Sequence, residues 1–512
     1  MSITLSPLFS DGMVLQRGNA TRLWGTSDTA VTVSFLDRQY TALPSKTGQW
    51  SVLLENLSAG GPYSLTINEI TLRDVYVGDV WILAGQSNMQ LTLERARYRY
   101  PEMMTEENPR IRLFGVSQRT DFHGPRSSLS GGSWSGATPE SLPDFSAVGY
   151  FFARRLHARY NVPIGLIATA IGGTPIHAWM SREMLQGFPH ALEEADTCAD
   201  DTHVARIQAK DAQEAQRFFQ AVDDADPGLT DRWSDPGLDD SDWVEQSMLT
   251  PWEGAGSVWL RKTVDIPASW AEKPAMLFLG TLKDWDTVYV NGQPVGTTTY
   301  RYPPRAYAVP PLPAGRCVIA VRAICKNGGG FAPGKPYVLS SQEGAIDLRG
   351  AWRFRLGGQV TPPTPETAFH YKPTGLYNGM IAPLMPYTAK GVCWYQGESD
   401  SEKPEGYADK FEALVAGWRE GFGQALPFLF VELPHWAEGV NWDSFRAQQW
   451  AALRIPGTAM AAAFDLGEHN DLHPQGKQAV GDRLARCAMR LCYGEALPPS
   501  PFEILGTKLP EI

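Results

Sequence analysis

Asp79-Val80-Trp81-Ile82-Leu83-Ala84-Gly85-Gln86-Ser87-Asn88-Met89 is the stretch on which the reading of this chain turns. The apolar run 80–84 predicts a buried strand, and Gly85 and Asn88 break it around a lone hydroxyl, Ser87. A strand that stops abruptly at a glycine-flanked serine can present Oγ at the carboxyl edge of a parallel sheet, with nearby backbone N–H groups free to donate. By itself the stretch also describes an ordinary strand-to-loop turn, so the rest of the chain has to decide.

Working outward, residues 76–190 alternate strands with helical stretches. Residues 146–160 form an amphipathic pattern with Val148, Phe151, Phe152 and Leu156 on one face. A second apolar strand, 164–171, ends in Gly172-Gly173-Thr174-Pro175, and the two strands make a βαβ unit, hence a parallel sheet. The same alternation returns after Pro362-Pro363-Thr364-Pro365. There 391–395 predicts a strand ending in Gln396-Gly397-Glu398-Ser399-Asp400, helices follow near 405–422 and 442–454, strands near 428–433 and 459–464, and a last helix after Pro474.

Two other regions differ. Residues 1–75 carry short alternating segments divided by turn signals and predict a small antiparallel β domain. After a polar helix at 191–222, residues 228–367 read as strands and turns, with Asn291-Gly292 as a hairpin signal, and predict a β-sandwich. Its residues Trp233, Trp243, Trp252, Asp284, Trp285 and Asp286 would either stack on sugar rings or serve the core. The chain is thus divided as 1–75, an α/β domain in two parts (76–227 and 368–512), and an insertion at 228–367.

Composition narrows the partners. A net charge of −11 with no block of Lys and Arg excludes a nucleic-acid partner, since phosphate binding needs a basic face. No uncharged apolar run of about 18 residues occurs, so no membrane span is predicted. Arg95, Arg97 and Arg99, just downstream of Ser87, are the local exception that an anionic substrate would need. The six cysteines show no metal-ligand spacing and read as reduced thiols; no metal and no cofactor are expected. The opening Met1-Ser2-Ile3-Thr4-Leu5-Ser6-Pro7 has neither a basic nor an apolar leader region. The expectation is therefore a cytoplasmic protein if Met1 is the native start, or a periplasmic or secreted one if a signal peptide was removed.

Three strand ends carry parts of one chemistry. Ser87 is the candidate nucleophile. Gly172 and Gly173 can bring a main-chain N–H close to a substrate, having no side chain in the way. Gln396 offers an amide NH₂. With the Ser87 N–H these would form an oxyanion hole, the part of an acyl-transfer site that stabilises a tetrahedral intermediate. The base is sought among the histidines, and His473, at the mouth of the last helix in Asp471-Leu472-His473-Pro474, is placed best, with Asp471 or Asp465 to hold its tautomer. His469 is a weaker candidate, and His435, after a strand, is expected to line the pocket.

Jointly these blocks resemble the SGNH hydrolases, and within them the sialate O-acetylesterase type. Gly85-Gln86-Ser87-Asn88-Met89 is similar to the nucleophile block, Gly172-Gly173-Thr174 to the glycine block, Trp394-Tyr395-Gln396-Gly397-Glu398-Ser399 to the third block, and Asp471-Leu472-His473-Pro474 to the histidine block. The opening 7–16 also resembles the family's. The resemblance implies a flavodoxin-like α/β domain, a parallel sheet with helices on both faces, interrupted by a jelly-roll insertion. It implies a metal-independent serine esterase acting on O-acetyl groups of a small-molecule or oligosaccharide substrate, sialic acid by name, with acetylated xylan or xyloglucan as the alternative and a non-catalytic glycan-binding protein as the rival of another class. Gln86, Asn88, Glu398, His435 and Arg97 are then expected to bind substrate or orient the catalytic groups. Two departures stand out. Gln396 occupies the place of the superfamily's Asn, and Asn470 the place of the usual Asp three residues before the histidine, which leaves Asp471, Asp465 and Glu398 as candidates for the acid behind His473, or a Ser-His dyad.

Overall fold

The computed structural model describes residues 3–300, 303–437, 439–468, 471–498 and 500–506. It divides into two compact units, one formed by 1–201 with 368–512 and the other by 202–367.

The first unit is built on one long strand, Ile70–Gly85, whose second half is continuously buried. Along its first half it pairs antiparallel with Gly60–Ile67 and parallel with Val14–Gln16. Along its second half it pairs parallel with Ile164–Ala168 on one side and Gly391–Tyr395 on the other. Val31–Phe35, Arg38–Ala42 and Gly60–Ile67 are thereby joined to the central sheet through a single strand, while Ile3–Leu5, Gly18–Ser27 and Gln49–Leu57 form a separate three-stranded sheet.

In that sheet the parallel order is Asn108–Gly115, Ile164–Ala168, Ile70–Gly85, Gly391–Tyr395, Phe428–Val431, Thr458–Ala461. Antiparallel edge strands, Trp134–Ala137 and Glu503–Leu505, close the two sides. The chain leaves Ile70–Gly85 toward one edge and Gly391–Tyr395 toward the other, so the loops at their carboxyl ends diverge. That is the crevice in which open α/β sheets hold ligands. Parallel strands covered on both faces read as apolar runs, which is why 80–84 and 391–395 look alike in sequence. The helix Ala147–Tyr160 starts at Ser146, whose side chain accepts the Gly149 N–H, and buries Val148, Phe151, Phe152 and Leu156.

The second unit holds two antiparallel sheets. One has the order Val244–Ser247, Ala351–Val360, Ala255–Ile266, Gly315–Cys325, Trp285–Val290, Gln293–Thr298; the other Ala306–Val309, Ala275–Leu279, Tyr337–Ser341, Gly344–Asp347. Val258, Leu260, Val288, Ile319 and Val321 of the first meet Leu277, Leu279, Val309 and Leu339 of the second in one core. Trp233, Trp243 and Trp252 are buried, and the first two pack edge to face with each other. Asp286 is buried and paired with Arg305 at 2.6 Å. Of the residues expected either to stack on sugars or to serve the core, these four therefore belong to the core, and Trp285 is half-buried.

Candidate active site

The turn at Gly85 has a steric cause. Gly85 has φ +120°, and a Cβ there would lie 2.1 Å from the Tyr395 carbonyl oxygen of the adjacent strand. Only glycine allows the strands to end this close together. The Gln86 N–H donates to that same carbonyl at 2.9 Å, and Ser87 opens a one-turn helix, Ser87–Gln90. Among the described residues the Ser87 N–H has no acceptor, as expected of a first-turn amide.

His473 comes to this turn from the far end of the chain. It is buried, and its Nε2 lies 2.8 Å from Ser87 Oγ. Asp471 Oδ1 accepts the main-chain N–H of His473 at 2.8 Å, which holds the loop that carries the ring. Asp465 is engaged by Arg483 at 2.6 and 2.7 Å, and that ion pair holds its carboxyl below the usual range. His469 and Asn470 lie outside the described residues.

The two glycines take different parts. The Gly172 N–H donates to Gln90 Oε1 at 2.7 Å, and a Cβ on Gly172 would stand 3.5 Å from Ser87 Cβ. Gly173 has φ +74°, and its Cβ position is taken by the Tyr371 hydroxyl, 1.9 Å away. Its carbonyl accepts from Ser399 Oγ at 2.8 Å, while its N–H has no acceptor among the described residues.

Gln396 is fully buried, and its amide is occupied. Nε2 donates to Asp400 Oδ2 at 2.6 Å and to Gln86 Oε1 and the Thr174 carbonyl at 3.2 Å each, while Oε1 accepts from the Tyr407 hydroxyl at 2.8 Å. An amide nitrogen has two hydrogens, so no donor is left over for an oxyanion. The expected donor is instead a brace behind the turn.

The other expected residues separate into near and far. Gln86 is buried, and its Oε1 accepts the main-chain N–H groups of Gly397 and Ser399 at 3.2 and 3.3 Å. Asn88 donates to Glu398 Oε1 and to the Leu472 carbonyl, the latter at 3.0 Å. Burial pushes the Glu398 carboxyl up, and its Oε2 is buried with no hydrogen-bond partner among the described residues. His435 is exposed, in the loop after Phe428–Val431. Arg97 is half-buried and pairs with Glu94 at 2.7 Å on its own helical turn.

Lys477 was not foreseen. It is 1% exposed, and its Nζ donates to Asn88 Oδ1. Burial pulls its pKa down to about 7 against the pull of Glu398 and Asp471. A lysine in the first turn of a helix reads as solvated, and nothing in its spacing signals otherwise. Chemically, the arrangement sets a hydroxyl against an imidazole nitrogen, with the open N–H groups of Ser87 and Gly173 at the neighbouring strand ends.

Comparison with known proteins places the chain in a family. The family described as "SASA: Carbohydrate esterase, sialic acid-specific acetylesterase" matches residues 77–210 and 366–490. The sialate O-acetylesterase of Rattus norvegicus is 26% identical over 535 residues, covering 94% of this chain and 72% of the relative. That of Homo sapiens is 33% identical over 201 residues, 35% of this chain and 38% of its own. The crystal structure of a carbohydrate acetylesterase from Xanthomonas citri superposes with a TM-score of 0.59 at 26% identity, covering 97% of this chain and 76% of that one.

Proposed function

Because the chain belongs to the SASA family of carbohydrate esterases and is a carboxylic-ester hydrolase, we propose that it removes O-acetyl groups from a carbohydrate by serine catalysis. The observation that carries this is the 2.8 Å contact between His473 Nε2 and Ser87 Oγ. Ser87 Oγ attacks the acetyl carbonyl as His473 takes its proton. The Ser87 and Gly173 N–H groups receive the oxyanion, and the sugar hydroxyl leaves with the proton returned by His473. Water, activated by the same imidazole, then frees acetate from the acetyl-serine. Glu398, with one buried oxygen uncommitted, Asp471 and Gln86 orient these groups.

The substrate class we propose is O-acetylated sialic acid, supported by the family description and by the named relatives. We further propose that 76–227 and 368–512 together form a flavodoxin-like SGNH domain, with 228–367 inserted as a jelly roll. Support comes from strands of the two segments lying in one parallel sheet, joined where Ile70–Gly85 pairs with Gly391–Tyr395.

Acetate release from a panel of acetylated sialic acids and acetylated xylan and xyloglucan oligosaccharides, with the native chain and Ser87→Ala, tests the whole reading. Release from sialates that Ser87→Ala abolishes supports it. Release confined to the plant sugars replaces the substrate, and glycan binding without any acetate release replaces the enzyme by a binding protein.

A further inference from the structure

Asn88 directly follows the proposed nucleophile, and its side chain has no contact with solvent. Its carboxamide touches three segments that are remote in sequence. Nδ2 donates to Glu398 Oε1, on the turn after Gly391–Tyr395, and to the Leu472 carbonyl at 3.0 Å, one residue before His473. Oδ1 accepts from Lys477 Nζ, on the first residue of the helix Lys477–Leu491.

Which end of that amide faces which neighbour is a question of donors and acceptors. A carboxamide offers one acceptor oxygen and two N–H donors, a carbonyl only accepts, and an ammonium only donates. With Lys477 present, Oδ1 has to face the helix, so both N–H groups have to face Glu398 and Leu472. Without it Oδ1 is a buried acceptor with no donor, so the amide gains by shifting or turning toward another one, and its hold on the Leu472 carbonyl and the His473 loop weakens. The cost of placing an ammonium here is real, because a buried charge loses its hydration. Glu398 offsets part of it, and the ring of Tyr395, 5.6 Å from Nζ, lines the site. The proton path through Ser87 and His473 does not use Lys477.

We infer that Lys477 is a positioning residue: by fixing the orientation of the Asn88 amide it ties the Leu472–His473 segment to the Ser87 turn and so sets the alignment of hydroxyl and imidazole. The inference rests on Ser87 and His473 being nucleophile and base, as proposed above.

Lys477→Met keeps length and volume but removes the donor. With p-nitrophenyl acetate, kcat should fall about 10²-fold, the scale of an ångström-sized misalignment, while KM stays within about twofold. Turnover is normalised to chains whose Ser87 is labelled to completion by a fluorophosphonate. Lys477→Arg, also donor-only, should retain most of kcat. Since the effect passes through Asn88, the Asn88→Ala, Lys477→Met double variant should be no slower than the slower single one, a non-additivity that independent sites do not show. If Lys477→Met does not fold, Asn88→Asp serves instead. It keeps an acceptor for Lys477 but has no N–H for Leu472, and the same loss is expected.

Turnover of Lys477→Met within about threefold of the parent, a multiplicative double variant, or unimpaired Asn88→Asp would overturn the inference. Ser87→Ala is measured alongside. Activity surviving in Ser87→Ala would remove the functional reading itself, whereas an inactive Ser87→Ala with a fully active Lys477→Met would remove only the role of Lys477.

Discussion

Gln86 Oε1 accepts the main-chain N–H of Gly397 at 3.2 Å, so the turn that carries Ser87 and the turn that ends the neighbouring strand share one side chain. The same oxygen takes the Ser399 N–H at 3.3 Å, and Gln86 is 2% exposed. Gln86→Ala leaves two amides without an acceptor in a site with little access to water. A buried donor without a partner costs about 1–3 kcal/mol. The expected outcome is a lower urea midpoint together with a fall in kcat of about 10²-fold from displacement of the Ser87 turn. Equilibrium unfolding and turnover of the same preparation check both, and a variant that loses stability but keeps kcat would show that the turn holds its place without the clamp.

Gln396 separates two explanations of one amide. An oxyanion donor contributes to turnover and little to folding, and its removal costs about 10²–10³ in kcat. A brace contributes to folding. Its Nε2 is already shared among Asp400, Gln86 and Thr174, and its Oε1 holds the Tyr407 hydroxyl. We expect Gln396→Ala to be destabilised by about 1–3 kcal/mol, with kcat per folded molecule lowered no more than about tenfold. Gln396→Glu should be worse for stability, since it sets a second carboxylate against Asp400. A Gln396→Ala protein of native stability and turnover reduced by three powers of ten would restore the donor role.

How much of this was legible in the sequence follows from the range of the forces involved. The run 80–84, the strand 391–395 and the helix around Val148, Phe151, Phe152 and Leu156 are set by local periodicity and read directly. His473 is sought as a partner for Ser87 from its place at the mouth of the last helix, and in the fold its Nε2 lies 2.8 Å from Ser87 Oγ. What did not read through depends on third partners. Gln396 looked like a free donor because Asp400 and Tyr407 become its neighbours only on folding. A lysine at a helix start reads as solvated, and the burial of Lys477 is decided by Asn88 and Glu398, both remote from it in sequence. Tryptophans in acidic loops have no periodicity, so Trp233 and Trp243 could be read as core or as sugar platforms.

The second unit depends on Asp226. This buried carboxylate accepts from Ser257 Oγ at 2.7 Å, Trp259 Nε1 at 3.0 Å, Arg322 Nε at 2.7 Å and the Gly228 N–H at 2.9 Å. Removing one member of a buried ion pair strands the other, at about 3–5 kcal/mol. Asp226→Ala should therefore lower the melting of the unit 202–367 strongly, read by calorimetry, whereas Asp226→Asn keeps the acceptor oxygen and should cost less. Equal melting of both variants would place the stability in packing and not in the charge.

Lys477 also makes a pH-dependent contribution whose sign can be worked out. Its pKa falls from 10.5 in an unstructured chain to about 7 in the fold, because burial outweighs Glu398, Asp471 and Glu468, which favour the charge, while Arg95 opposes it. Between these values the unfolded chain binds the proton and the folded one does not, so folding stability rises with pH across about 7 to 10.5 and is independent of this group below about 7. Lys477→Met removes the group from both states. Below neutrality this group adds no pH dependence, so the difference between the two proteins there is set by the lost charge and the lost Asn88 contact alone. The stability of the parent relative to the variant should then climb as pH rises, by at most about 1.4 kcal/mol per pH unit for this one group. Urea unfolding of both proteins at about pH 7.5, 8.5 and 9.5 tests the slope. A difference that stays flat over this interval would mean that the buried amine keeps its proton throughout, with Glu398 and the Asn88 oxygen holding the charge that burial opposes.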